Sequence, residues 1–280
     1  MNIIMKKSAY FGYLILTIFF TSCSDTTMVY SPIDIQGNID EPAVSGFFTK
    51  QVLIEDYTGT WCGNCSKVAY AIEKVKEETD RSVSVAIHNG NDPFNFAEIQ
   101  PLQDLISPNT QLALPQVRLN RTVVWTFPDI NTQQAVNLTS NNSGLGLAMN
   151  SEVTDELLKL TVKVKFAQNY SNLKLVVYVL ENHLIYRQAN YSNYYNGVTP
   201  ILDFEHNHVL RTSLTNLLGN PLTNTNYNQT ETVNFSVPIP ANISVKNNMS
   251  FVAFVIDENN NVLNVRAAER NEAQVFQQNP

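Results

Sequence analysis

The chain has 280 residues, 44% of them hydrophobic, with ten Gly and twelve Pro; this describes a folded protein of one large or two ordinary domains and excludes collagenous or disordered chains. Charged residues make up 15%, below the roughly 25% usual for soluble domains. With 18 Lys+Arg against 25 Asp+Glu the net charge is −7, so there is no cationic field for a phosphate backbone and no nucleic-acid partner is expected.

Residues 1–22 read as an export signal. Lys6 and Lys7 precede an apolar run over residues 9–21, shorter than the roughly 20 residues that span a bilayer. The run ends in Phe20-Thr21-Ser22-Cys23, which resembles the bacterial lipoprotein box, with Phe20 where Leu is usual. That resemblance implies cleavage before Cys23 and acylation of that cysteine, so the membrane would be reached through an N-terminal lipid; more than one acyl chain makes such attachment stable. Residues 23–45, with Pro32, Gly37 and Pro42 and no sustained periodicity, read as a tether.

Residues 52–57 (VLIEDY) form a largely apolar run of strand length, and Thr58-Gly59-Thr60 closes it as a turn. Trp61-Cys62-Gly63-Asn64-Cys65 follows. Beyond it Val68, Ala69, Ile72 and Val75 recur at three and four residues among charged ones, which predicts an amphipathic helix starting at the cysteine motif. A helix N-terminus favours an anion, so the Cys62 thiolate would be stabilised there. Cys65, one turn on, is close enough to close a small disulfide ring. Such a pair can exchange disulfides, Cys62 attacking a substrate and Cys65 resolving the mixed disulfide. Trp61 would cover one side of the pair.

This arrangement resembles thioredoxin-like proteins. That family carries an acidic residue six positions before the first cysteine, matched by Asp56, and a Trp directly before it, matched by Trp61. It also has a cis-proline loop facing the disulfide, matched by residues 112–119 with Pro115 as the proline. The resemblance implies an α/β thioredoxin-like domain over residues 46–142, a cis Leu114-Pro115 bond, Asp56 as proton acceptor for the buried thiol, and the Leu114 backbone pairing with a bound peptide. The dipeptide Gly63-Asn64 departs from the Gly-Pro of thioredoxin. Two other readings of the cysteine pair stay open: half of a zinc site, which would have to recruit two of His88, His183, His206 and His208, and a disulfide that only braces the fold.

The remainder of the first half predicts a strand over 82–87, a helix over 97–106, a hairpin of 116–119 with 122–125 turning at Asn120-Arg121, and a closing helix over 129–140. From Gly144 the pattern changes to strands. Residues 156–167 alternate through Leu158, Leu160, Val162, Val164 and Phe166, and further runs lie at 172–180, 231–239, 249–256 and 262–267. Their spacing predicts an all-β immunoglobulin-like sandwich domain of roughly seven strands over residues 143–280. Two stretches interrupt it. Residues 189–199, rich in Tyr and Asn, are a surface turn or a binding loop. Residues 203–211, as a strand, would put His206 and His208 on one face, as a metal pair requires; without a third ligand in the motif no metal is assigned.

Residues 53–65, the His206-to-Arg211 segment and the run at 251–256 together resemble the Omp-twenty-eight-related outer-membrane lipoproteins of oral and gut Gram-negative anaerobes. The resemblance implies a lipid-anchored place in the cell envelope, on the periplasmic or the surface face, but no settled reaction. The sequence is thus read as an envelope lipoprotein with thiol-disulfide oxidoreductase activity through its WCGNC motif. It would act on cysteine-containing envelope proteins or a partner redox protein, with no cofactor. The competing reading is a surface binding protein or adhesin whose disulfide is only structural.

Overall fold

The computed structural model describes residues 44–279. The first half contributes β1 (Phe47–Thr49), β2 (Val52–Thr58), α1 (Cys65–Glu78), β3 (Ser82–His88), α2 (Gln100–Ile106), β4 (Gln116–Leu119), β5 (Val123–Val124) and a single turn, α3 (Gln133–Val136). There follow β6 (Asn142–Ser143), β7 (Leu145–Val153), β8 (Leu157–Phe166), β9 (Lys174–Glu181), β10 (Leu184–Gln188), β11 (Ile201–His206) and β12 (Val209–Ser213). The chain closes with β13 (Asn220–Pro221), β14 (Thr230–Pro238), β15 (Met249–Ile256), β16 (Val262–Glu269) and β17 (Gln278–Asn279).

Strands predominate, and the expected α/β thioredoxin-like domain followed by a separate immunoglobulin-like sandwich is not what forms. One nine-stranded sheet, ordered β16-β15-β9-β12-β3-β2-β4-β5 with β13 beside β9, runs through both halves of the chain. The join is β12: Val209 pairs in parallel with Ala86 of β3 and antiparallel with Glu181 of β9. The reason lies in the composition of the strands. β9 (KLVVYVLE) and β15 (MSFVAFVI) are apolar on both faces, and a two-sheet sandwich would leave one of those faces in water. Leu175, Val177 and Val179 pack against the three-stranded sheet β14-β8-β7, whereas Val176, Tyr178 and Leu180 pack with Leu53, Tyr57, Val85 and Leu102 of the first half. Each such side chain contributes about 1.5–3 kcal/mol by leaving water.

Helix is scarce for a related reason. The closing helix expected over residues 129–140 breaks into 3₁₀ turns on either side of α3, where Asn, Thr and Gln side chains take up local backbone groups; Thr139 and Ser140, for example, donate back to the carbonyls of Val136 and Asn137. α1 persists because Val68, Ala71 and Val75 bury one stripe against Val52, Ile54, Leu119 and Trp125.

The turn between β4 and β5 ties the halves together. Asn120 and Arg121 both adopt left-handed backbone angles, φ 47° and 71°, as a two-residue hairpin turn of this hand requires. The turn sends Arg121 inward, where it is fully buried. Its Nη2 donates to Glu55 Oε1 at 3.0 Å and to the Tyr178 hydroxyl at 2.7 Å, its Nη1 donates to the Leu217 carbonyl at 2.9 Å, and its guanidinium lies 4.8 Å from the Phe254 ring centroid. Four segments distant in sequence therefore share one cation.

Candidate functional site

The cysteine motif leaves the C-terminal end of β2. Cys62 and Cys65 are joined in a disulfide. α1 starts at Cys65 rather than at Cys62; the Cys62 N–H donates to the Gly59 carbonyl and its own carbonyl accepts from the Cys65 N–H, so Cys62 occupies a turn ahead of the helix. Both cysteines are buried, at 5% and 2% exposure.

Trp61 is half-exposed. Its indole lies over Gly59 and Gly90 and donates to the Asn89 carbonyl at 3.0 Å, which leaves no room for a side chain at Gly59. The cover over the motif is instead supplied by residues 188–195, which overlap the Tyr- and Asn-rich stretch 189–199 expected as a surface turn or a binding loop. Ala189 N–H donates to the Thr60 carbonyl and Tyr191 N–H to the Gly63 carbonyl, both at 2.8 Å. Gln188 Nε2 donates to the Cys62 carbonyl at 3.0 Å, and Ser66 Oγ to Asn190 Oδ1 at 2.7 Å. The Tyr191 ring rests on Gly63, while Tyr194 stacks on Tyr70 of α1 with ring centroids 3.9 Å apart. This strap crosses the disulfide turn like an added strand.

Gly63 is the reason the ring can sit there, since a Cβ at this position would fall inside the contact distance of the Tyr191 ring atoms. Tyr191 is 73% exposed and free to swing outward. Gly63→Ala is therefore expected to undock it at little cost to folding. Losing one net hydrogen bond, about 0.5–1.5 kcal/mol, raises the undocked population by up to about tenfold. The rate of disulfide reduction by dithiothreitol should rise accordingly, and an unchanged rate would mean that the strap does not limit access.

The Leu114-Pro115 bond is cis and directly precedes β4, whose Gln116 pairs with Tyr57; it lies at the same end of β2 as the motif. Leu114 packs at the margin of the core that holds Leu53 and Tyr57.

Behind the disulfide, between α1 and strands β2 and β3, is a cavity of about 120 Å³. Asp56, Ser84 and Cys65 line its buried end, and the β10–β11 hairpin closes its far side with Gln188, Phe204 and His206. The parallel register of β2 and β3 explains the shared wall, because Ile54 pairs with Ser84, Asp56 with Ala86 and Thr58 with His88. Asp56 Oδ1 and Ser84 Oγ are buried without a protein partner. Burial pushes the Asp56 carboxyl up to about 8, so it holds its proton at neutral pH. Burial and the neighbouring His88 lower His206 to about 4, leaving it neutral. His88 is tied through Nδ1 to both Asp92 oxygens at 3.1 Å.

The histidine pair does not share a strand face. β11 ends at His206, Asn207 and His208 form a bend with His208 at φ 57°, and β12 begins at Val209. His206 turns toward His88 and Phe94, whereas His208 meets Lys76 of α1. Among the described residues no group of three or more His, Cys, Asp or Glu is arranged to hold a metal ion. Cys23 lies outside the described residues.

Fold and site together define a multi-sheet β-protein with a buried CxxC disulfide backed by a polar cavity. The chain belongs to the Omp28 outer membrane protein family, whose model matches residues 107–274; the matched stretch does not include the cysteine motif. It is accordingly a protein of the cell envelope, of an outer-membrane family. Among solved structures it is similar to HBP35 of Porphyromonas gingivalis, with 17% identity over 82% of this chain and 78% of that one and a TM-score of 0.62, a likeness of fold. A domain of the outer membrane lipoprotein Omp28 from Porphyromonas gingivalis matches at 23% identity over 47% of this chain and 92% of that one, with a TM-score of 0.31. No curated protein matches.

Proposed function

We propose that this envelope lipoprotein carries out thiol-disulfide exchange through Cys62 and Cys65, with cysteine-containing envelope proteins or a partner redox protein as its substrates. The observation that carries this reading is Asp56, a fully buried carboxyl with an unpartnered oxygen, facing the cavity that Cys65 lines. A disulfide that merely braces a fold has no use for a buried acid, which costs stability.

From the disulfide state, a substrate thiolate attacks Cys62 Sγ. The bond from substrate sulfur to Cys62 forms, the Cys62–Cys65 bond breaks, and Cys65 leaves as a thiolate that takes the Asp56 proton. A second substrate thiolate then attacks the first substrate sulfur, forming the substrate disulfide and releasing Cys62 as a thiolate. Two electrons pass from substrate to protein. In the reverse direction Asp56, having lost its proton, accepts the one on Cys65. Pro115 and Leu114, at the same end of β2, are assigned to orient the substrate peptide, and Trp61 to the rim beside it.

A second reading draws on the burial of both cysteines under the strap, which favours a bracing disulfide in a surface binding protein. Trapping separates the two. In Cys65→Ala the exchange reading expects mixed disulfides with envelope proteins through Cys62, seen as reductant-sensitive bands on non-reducing gels. Absence of such adducts, together with a wild-type disulfide inert to dithiol reductants in the folded protein, would overturn it.

A further inference from the structure

We propose that the cavity behind the disulfide is a water-holding passage that carries protons between Asp56 and the surface, and that His206 is the positioning residue that keeps this passage open and polar. The proposal rests on the exchange reading of the site and adds the route by which its proton comes and goes.

The argument starts from two orphaned atoms. Asp56 Oδ1 and Ser84 Oγ are buried, lack protein partners and open on the same cavity. A buried carboxyl and hydroxyl without partners are satisfied by ordered water where the space is polar and roomy. About 120 Å³ is room for several waters, each needing on the order of 10–15 Å³. Cys65 borders the same space, so water there can reach both the sulfur and the acid.

His206 forms the opposite wall. Its ring is 5.3 Å from those of His88 and Phe94 and 4.9 Å from that of Phe204, which fixes it in place. Nε2 lies 3.3 Å from the Tyr186 carbonyl, and only an N–H can pair with a carbonyl. The neutral ring therefore carries its lone pair on Nδ1, available to accept from cavity water. The other ionisable groups along the passage are Glu73 and Lys76 from α1, His88 from β3, Glu205 from β11, and His208 before β12. His88 is committed to Asp92 and His208 to Lys76, while Glu73, Lys76 and Glu205 are exposed and form the mouth. Asp56 is thus the one proton-holding acid at the blind end, with the His206 imidazole on the wall that leads to the charged mouth.

His206→Phe keeps the aromatic packing and replaces the acceptor with hydrocarbon; His206→Gln keeps a polar group. Two measurements are made on the full chain: the pH profile of disulfide reduction by dithiothreitol, and the titration of the Asp56 carboxyl by carbon NMR. His206→Phe should slow reduction about tenfold below pH 8, approach the rate of Asp56→Asn, and raise the Asp56 midpoint, because less water solvates the carboxylate. His206→Gln should restore most of both. Ser84→Val tests the passage from the other wall, with the same direction expected, should His206→Phe fail to fold. An unchanged rate profile and an unchanged Asp56 midpoint in these variants would overturn the passage. Chemical reduction needs no physiological substrate, so the passage can fail while Cys65→Ala still traps partners, or hold while it traps none.

Discussion

Arg121→Met is expected to destabilise the protein by about 3–5 kcal/mol, the usual cost of removing one partner of a buried charge pair. The change leaves the Glu55 carboxylate, itself fully buried, without its cation and strips the Tyr178 hydroxyl and the Leu217 carbonyl of a donor. It also removes the guanidinium from the Phe254 face. The methylene stem is largely kept, so the loss is electrostatic rather than a cavity. The double variant with Glu55→Gln should recover part of the loss, since the stranded charge goes as well. Urea unfolding at unchanged m-value checks both, and a single-variant loss below about 1 kcal/mol would refute the idea that this cation joins the two halves.

Asp56→Asn should act in the other direction and depend on pH. The folded carboxyl is held at about 8 by burial, against 3.8 for the ordinary group. Between those values the folded chain keeps a proton that the unfolded chain has released, so stability falls as pH rises, by about 1.4 kcal/mol per unit, and levels off above the folded value. At pH 7 the penalty is on the order of 4 kcal/mol, and it is removed in Asp56→Asn. Above pH 7 His206 is neutral in the folded chain and mostly so in the unfolded one, and Lys50, which burial lowers to about 8, acts with the opposite sign in wild type and variant alike, so the difference between the two curves from pH 7 to 8 reports Asp56. Wild type should lose stability from pH 7 to about 8, and the variant should not. Parallel curves would mean that Asp56 is ionised in the folded protein. The same variant should lose the rate advantage of the wild-type disulfide below pH 8, linking instability to use.

Much of the strand pattern was legible in the sequence, because alternation carries its own meaning. Leu158, Leu160, Val162, Val164 and Phe166 face inward along β8 as their spacing requires. The uninterrupted apolar runs of β9 and β15 mark strands covered on both sides, but a run of apolar residues does not name what covers it, and the expected thioredoxin-like fold followed by a sandwich is overturned at that point. The cysteine pair could be found by its spacing, whereas Asp56 and the Leu114-Pro115 segment were found only through the resemblance to thioredoxin-like proteins. The strap and the cavity wall could not be found in either way. Tyr191, Gln188 and His206 reach the motif only through the β10–β11 hairpin, whose outward residues Ile185, Tyr186 and Leu202 are exposed and blur its period. α1 starts one turn later than the apolar spacing predicts, because Gly63 and Asn64 suit a turn as well as a first helical turn.

The insertion of β12 between β3 and β9 also dictates the order in which the protein can assemble. β3 is an open edge until Val209 arrives beside Ala86, and the whole chain between them must first be delivered. A long closure of this kind is slow, and an uncovered edge recruits other strands while it waits. A fragment ending near residue 142 would carry that bare edge permanently. For a chain exported to the envelope unfolded, the vulnerable interval runs from the appearance of the cysteine motif to the arrival of β12, and the thiols stay uncovered throughout it. Disulfide closure can therefore precede the sheet that later buries it.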